Sequence, residues 1–371
     1  MTRTHRAIGI RAAARAVGAA TVLAVMASST ISCSTGSEQI ERDGSVVDRN
    51  DMVMVSEVRS LTNPYEAAWV QGSRAYAESL GIELKVIVYG GDSQNALSQL
   101  QSVLAAGKTV LLNINPNTSA DTPAIVRAVQ NSGGCAVTQW SKPNDLHPWD
   151  VGVGWASYVA YDGVRQGTDT ANTLIDSLGG EGGVIALQGL LANEISQTRF
   201  EGFQQAIGEQ SGVVLLDDQP ADFDRNKAYT TTQTLLNKYG EQVNGIWAAT
   251  DSMALGALQA VREAGKAGEI KVASAADATP EGLDAIVKGE LVSTYTTDPY
   301  FNGAMGLAIC YQSLVGELDV ESLPRENREF YVDQSLITAS NVDQFLAEPS
   351  DAEIVRSVQN PFSRITGPVT R

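Results

Sequence analysis

From residue 52 onward, short runs of β-branched and other apolar residues alternate with longer amphipathic stretches, and glycine, proline or asparagine marks the boundaries. Runs of the first kind suit strands, and the longer stretches suit helices that cover them, so the pattern specifies βαβ units with a mostly parallel sheet. The first series predicts strands over 52–58, 84–89, 109–113 and 135–139, with helices over 64–80, 93–106 and 120–132. A second series predicts helices over 158–178, 193–209, 226–239, 251–264 and 280–288, and strands over 183–188, 213–217, 245–250, 271–274 and 292–296. Two such series in tandem predict an α/β protein of two lobes with a cleft between them. A helix over 302–314 and a strand over 330–336 must then rejoin those sheets, so the chain is expected to cross between lobes more than once.

Charge and histidine content exclude several functions. Acidic residues outnumber basic ones 43 to 26, and the first 32 residues hold four arginines and no acid. Without them the remainder carries 22 basic against 43 acidic side chains, a net −21 that repels phosphate backbones and excludes nucleic acid as a partner. His5 and His147 are the two histidines, too few for a multi-histidine metal site, and no metal-ligand or cofactor spacing occurs. Gly179-Gly180-Glu181-Gly182-Gly183 precedes a strand instead of following one, which suits a plain turn better than a phosphate loop.

The N-terminus reads as an export signal over 1–32: arginines, then an apolar run over 16–27, then small residues. Thr30-Ile31-Ser32-Cys33 resembles the lipobox of bacterial lipoproteins, with Thr30 in place of the usual aliphatic residue, and implies lipidation at Cys33 and a membrane anchor. Residues 33–50 are polar and read as a tether. Cys135 and Cys310 each lie in an apolar stretch, where either a disulfide or two buried thiols would fit.

Five strings then fall in register. Ser60-Leu61-Thr62-Asn63-Pro64-Tyr65 follows the first strand, Arg199-Phe200-Glu201-Gly202-Phe203 opens a helix, and Gln219-Pro220-Ala221-Asp222-Phe223-Asp224-Arg225 follows a strand. Thr250-Asp251-Ser252-Met253-Ala254 starts another helix, and Asp277-Ala278-Thr279-Pro280 follows the next strand. Together they resemble the type I periplasmic sugar-binding proteins of ABC importers, ribose-binding branch, from about residue 52 to 345. The resemblance implies two Rossmann-like lobes joined by three hinge crossovers: 51–154 with 298–328, and 155–297 with 329–347, leaving 348–371 as a flexible tail. It also implies a monomer that binds a sugar or polyol, performs no chemistry, and delivers its ligand to a permease and its ATPase. A sensory receptor of the same fold is the nearest alternative, and a secreted carbohydrate-active enzyme the more distant one.

Residue by residue, the resemblance assigns Asn63 to a sugar hydroxyl, Tyr65 and Phe223 to stacking, Arg199 to donation and Asp277 to acceptance. Glu66, Trp140, Ser141, Thr250 and Thr297 occupy further ligand positions but depart from the ribose pattern. Trp140-Ser141 replaces an Asp-Arg pair, which points to a ligand with a larger or less hydroxylated face than a pentose. Carboxylates, arginine and flat rings are the groups that a sugar's hydroxyls and C–H faces require. Asp251 and Asp277 also suit helix caps or turns, Arg199 suits a surface pair with Glu194 or Glu201, and Trp149 and Trp155 suit the core. Asp222 with Asp224, or Asp277 with Glu281, would be the carboxylate pair of an enzyme.

Overall fold

A computed structural model describes residues 46–370. The export signal, Cys33 and the tether up to residue 45 lie outside the described residues.

The elements run, in chain order, β1 (Met52–Val58), α1 (Pro64–Leu80), β2 (Leu84–Val88), α2 (Ser93–Leu104), β3 (Thr109–Ile114), α3 (Thr122–Asn131), β4 (Cys135–Gln139), α4 (Pro148–Val151) and β5 (Trp155–Ala160). Next come α5 (Gly163–Ser177), β6 (Gly182–Gln188), α6 (Glu194–Gly208), β7 (Val213–Pro220), α7 (Arg225–Tyr239), β8 (Val243–Ala248), α8 (Asp251–Glu263), β9 (Lys271–Ser274), α9 (Pro280–Val287) and β10 (Ser293–Tyr295). The chain closes with α10 (Pro299–Leu314), α11 (Arg325–Arg328), β11 (Glu329–Val332), β12 (Leu336–Thr338), α12 (Asp351–Ser357) and β13 (Ile365–Pro368).

Seven strands form the first lobe's sheet in the order β13-β11-β5-β4-β3-β1-β2, parallel except for β13. Four parallel strands, β7-β6-β8-β9, form the second lobe's sheet, with the antiparallel pair β10-β12 beside it. The chain passes between lobes after β5, between β10 and α10, and between β11 and β12. Apolar residues pack both faces of the first sheet and form one continuous cluster around the second.

Several boundaries differ from those expected. Residues 155–160 form a strand of the first lobe, not the start of a helix in the second, because β5 is inserted between β4 and β11. A strand buried along its whole length shows no alternation, so periodicity does not separate it from a helix. The break lies at Asp162, whose carboxylate accepts from the Arg165 N–H. The single strand expected over 330–336 is two strands in different sheets, with a hinge crossing at 333–335, so residues 329–332 also belong to the first lobe.

The expected flexible tail is folded. The α12 helix packs on α1 and α10, and β13 pairs with β11. The tether's end is also seated: Val47 N–H donates to the Leu314 carbonyl and Arg49 donates to the Tyr311 hydroxyl. Cys135 on β4 and Cys310 on α10 form a disulfide with Cα atoms 5.4 Å apart. Trp155 is fully buried, whereas Trp149 is only partly so, stacked on His147 and lying beneath Arg325.

Candidate functional site

Chain direction sets the location of the site. Parallel strands send their following loops to one edge of each sheet, and the two carboxyl edges face each other across the gap. The first lobe contributes Arg59, Asn63, Tyr65, Glu66, Asn115 and Trp140, and the second contributes Asn193, Arg199, Phe223, Thr250 and Asp277. Between them lies a cavity of about 70 Å³.

Each side chain is held by its local structure. Asn63 caps α1 through its Oδ1, which accepts the Tyr65 N–H at 3.0 Å, so its amide nitrogen remains as the donor. The Tyr65 ring stands edge-on to Trp140, with centroids 6.1 Å apart. Trp140 has φ 72°, stacks on Tyr161 at 4.7 Å, and has the Arg199 guanidinium 5.4 Å from its ring. Phe223 has φ 59° and follows Asp222 at φ 53°, two consecutive left-handed residues without glycine's freedom. Such conformations cost on the order of 1–3 kcal/mol each and persist where the surroundings enforce them. The Phe223 ring lies so close to Gly189 that a Cβ there would sit 2.0 Å from Cε1, so any side chain at position 189 would displace the ring.

Charge sits at the buried end. Arg199 donates from Nε to Gln166 Oε1 at 2.7 Å and from Nη1 to the Ala249 carbonyl at 3.2 Å; it is not a surface pair with Glu194 or Glu201. Burial lowers its pKa, and nearby Asp277 opposes that shift. Burial and the neighbouring Asp251 raise the pKa of Asp277, against the pull of Arg199. Burial also pushes Glu66 up to about 7, even though its oxygens accept the N–H groups of Arg59 (3.1 Å) and Ser60 (2.8 Å).

Among the described residues, eight buried side-chain polar atoms lack a hydrogen-bond partner, and four of them line this cleft. They are Asn115 Oδ1, Trp140 Nε1, Asn193 Oδ1 and Thr250 Oγ1. An unmet buried donor or acceptor costs about 1–3 kcal/mol. Their convergence on one cleft therefore favours a polar, hydroxyl-bearing occupant.

Two expected ligand positions lie elsewhere. The Ser141 hydroxyl accepts the Glu194 N–H at 3.2 Å, so this first-lobe residue caps a second-lobe helix whose own N-cap, Asn193, supplies no side-chain bond. Thr297 is buried in a hinge crossing, where its carbonyl accepts from the hydroxyls of Tyr65 and Tyr161. Lys142 turns away to pair with Glu329 at 3.0 Å. Three of the rival carboxylates are engaged: Asp222 with Lys227, Asp224 as the cap of α7, and Glu281 with Arg225; Asp251 bonds Thr279 and Thr294. Sequence reading missed Arg59, Asn115 and Asn193, which the resemblance did not assign; Arg59 and Asn115 directly follow β1 and β3, and Asn193 stands at the start of α6.

A larger hollow beside the hinge, lined in part by Tyr300, Phe345 and Arg364, has Arg364 already paired with Asp298 and Asp333. The cleft is therefore the better candidate. Two lobes hinged around a polar, ring-lined cleft define a solute-binding protein.

The Periplasmic binding protein domain matches residues 57–318. The ribose import binding protein of Salmonella typhimurium is 32% identical over 260 residues, 70% of this chain and 84% of that one. The xylitol-binding protein of Mycolicibacterium smegmatis is 28% identical over 276 residues, 74% of this chain and 73% of that one. A crystal structure of a twin-arginine translocation pathway signal protein from Burkholderia phytofirmans superposes with a TM-score of 0.82 at 35% identity, covering 86% of this chain and 98% of that one. The chain belongs to the type I periplasmic sugar-binding proteins of the ribose-binding fold, which are substrate-binding proteins and not enzymes.

Proposed function

We propose that this protein is the solute receptor of an ABC importer, capturing an uncharged sugar or polyol between its lobes and delivering it to the permease. The observation that carries this reading is the convergence of four unpartnered polar atoms on Arg199 and Asp277, between the rings of Tyr65, Trp140 and Phe223. Asp277 and Arg199 form charge-assisted bonds to ligand hydroxyls, and the rings cover C–H faces. The ligand stabilises closure only through contacts with both lobes at once. Trp140 in place of a hydrogen-bonding pair favours a hexose or cyclitol over a pentose. Export and lipidation at Cys33 would hold the receptor at the outer face of the cell membrane.

A thermal-shift panel of D-ribose, D-allose, xylitol and myo-inositol tests the reading. At least one should raise the melting temperature. Asp277→Asn and Arg199→Ala should each weaken that ligand roughly 100-fold, the loss of a charged hydrogen bond with its partner left buried. Stabilisation by organic acids or amines alone would overturn it.

A further inference from the structure

We propose that Arg59 is a specificity-determining residue of the cleft: its guanidinium bridges the lobes across the mouth and admits only an occupant small enough to lie wholly beneath it. This rests on the sugar-capture reading above. Arg59 leaves the end of β1 in the first lobe, and its Nη1 donates to the main-chain carbonyl of Asp222 in the second at 2.7 Å. Its Nη2 donates to Asn117 Oδ1 at 2.8 Å. Asn117 is anchored in turn, its Nδ2 donating to the Gly91 carbonyl and Ser93 Oγ, both at 3.0 Å. The Glu66 carboxylate grips the N–H groups of Arg59 and Ser60, which fixes the backbone from which the guanidinium projects.

Burial places the bridge on the solvent side. Trp140, Arg199, Thr250 and Asp277 are buried, whereas Arg59, Asn117, Asp222 and Phe223 are only partly so. The buried end is where the sugar ring is assigned. A second sugar unit would have to pass where the arginine's two bonds run. The left-handed turn at Asp222 and Phe223 offers the carbonyl and aims the ring by one backbone conformation, so the bridge and the stacking surface form together. The bond to Asp222 crosses between lobes and is made by protein atoms alone, so it favours the closed arrangement with or without sugar, while the bond to Asn117 lies within the first lobe and orients the guanidinium. Lysine cannot replace the planar fork that reaches two acceptors.

The test uses the full chain and its Arg59→Ala and Arg59→Lys variants. Small-angle scattering without sugar should give Arg59→Ala a larger radius of gyration than the wild type. A thermal-shift panel should then show the wild type responding to myo-inositol or D-allose but not to sucrose, trehalose or maltose. Arg59→Ala should gain a response to at least one disaccharide while losing no more than about tenfold in affinity for the single-ring probe. Arg59→Lys should behave similarly, and it decides the matter if the alanine variant does not fold. Equal radii, or variants that exclude disaccharides as the wild type does, would overturn the proposal. If no sugar stabilises any of the proteins, the capture reading fails, and the scattering alone decides the bridge.

Discussion

The two lobes reach similar architecture by different means. The first has seven strands, a disulfide and a C-terminal strand added at its edge; the second has a four-stranded sheet and one continuous apolar cluster. They also divide the chemistry of the cleft. Asn63, Asn115, Tyr65 and Trp140 supply amides and rings from the first lobe, while Arg199 and Asp277 supply charge from the second. The first lobe carries two of the three rings and the second carries Phe223 with the buried Arg199 and Asp277, so only closure brings all three rings and the buried charged pair onto one sugar. The contrast also separates stapled stability from packed stability.

The largest expected effect tests the staple. Replacing Cys135 and Cys310 with serine removes a cross-link between positions 175 apart in sequence, expected to cost roughly 2–5 kcal/mol. Hydrogen exchange should rise in β4 and α10 while β6 and β8 stay protected. Equal loss in both lobes would mean that they unfold as one unit.

A smaller effect depends on pH. Glu57 is buried on β1 with Oε2 unpartnered, and burial, with Asp121 adding, pushes it up to about 8. A carboxyl raised in the folded state is stabilising while protonated, so its contribution is complete below about 4.5 and is lost as pH rises towards 8. The slope is at most about 1.4 kcal/mol per pH unit. Melting temperatures from pH 5 to 8 should fall less steeply for Glu57→Gln than for the wild type. Parallel curves would show that Glu57 does not titrate there.

The smallest concerns the rings. Trp140→Phe keeps a stacking face but removes Nε1–H, and should weaken the ligand about fivefold to tenfold by calorimetry, near 1 kcal/mol. No change would place the ligand away from Trp140 and shift recognition towards the second lobe.

Much of this was legible before any coordinates. Asn63-Pro64, Asp92 and Thr279-Pro280 announce helix starts through short-range capping, and all three caps are present. Asn63, Tyr65, Glu66, Trp140, Arg199, Phe223, Thr250 and Asp277 meet at one cleft because position beyond a strand end is a local property. Ser141 and Thr297 could not be judged in this way. Each adjoins the cleft in sequence, but its orientation follows from a distant partner: Glu194 for Ser141, and Tyr65 and Tyr161 for Thr297.

Sequence by itself determined the alternation of elements and the two-lobed α/β build, because periodicity and capping act over a few neighbouring residues, and the resemblance to sugar-binding proteins supplied most of the cleft's residues. Tertiary structure alone decided that β5, β11 and β13 widen the first sheet, that the two cysteines join, and that Arg59 reaches Asp222. Those outcomes depend on strand neighbours and side-chain partners between about 20 and 175 positions apart, a separation that local pattern does not encode.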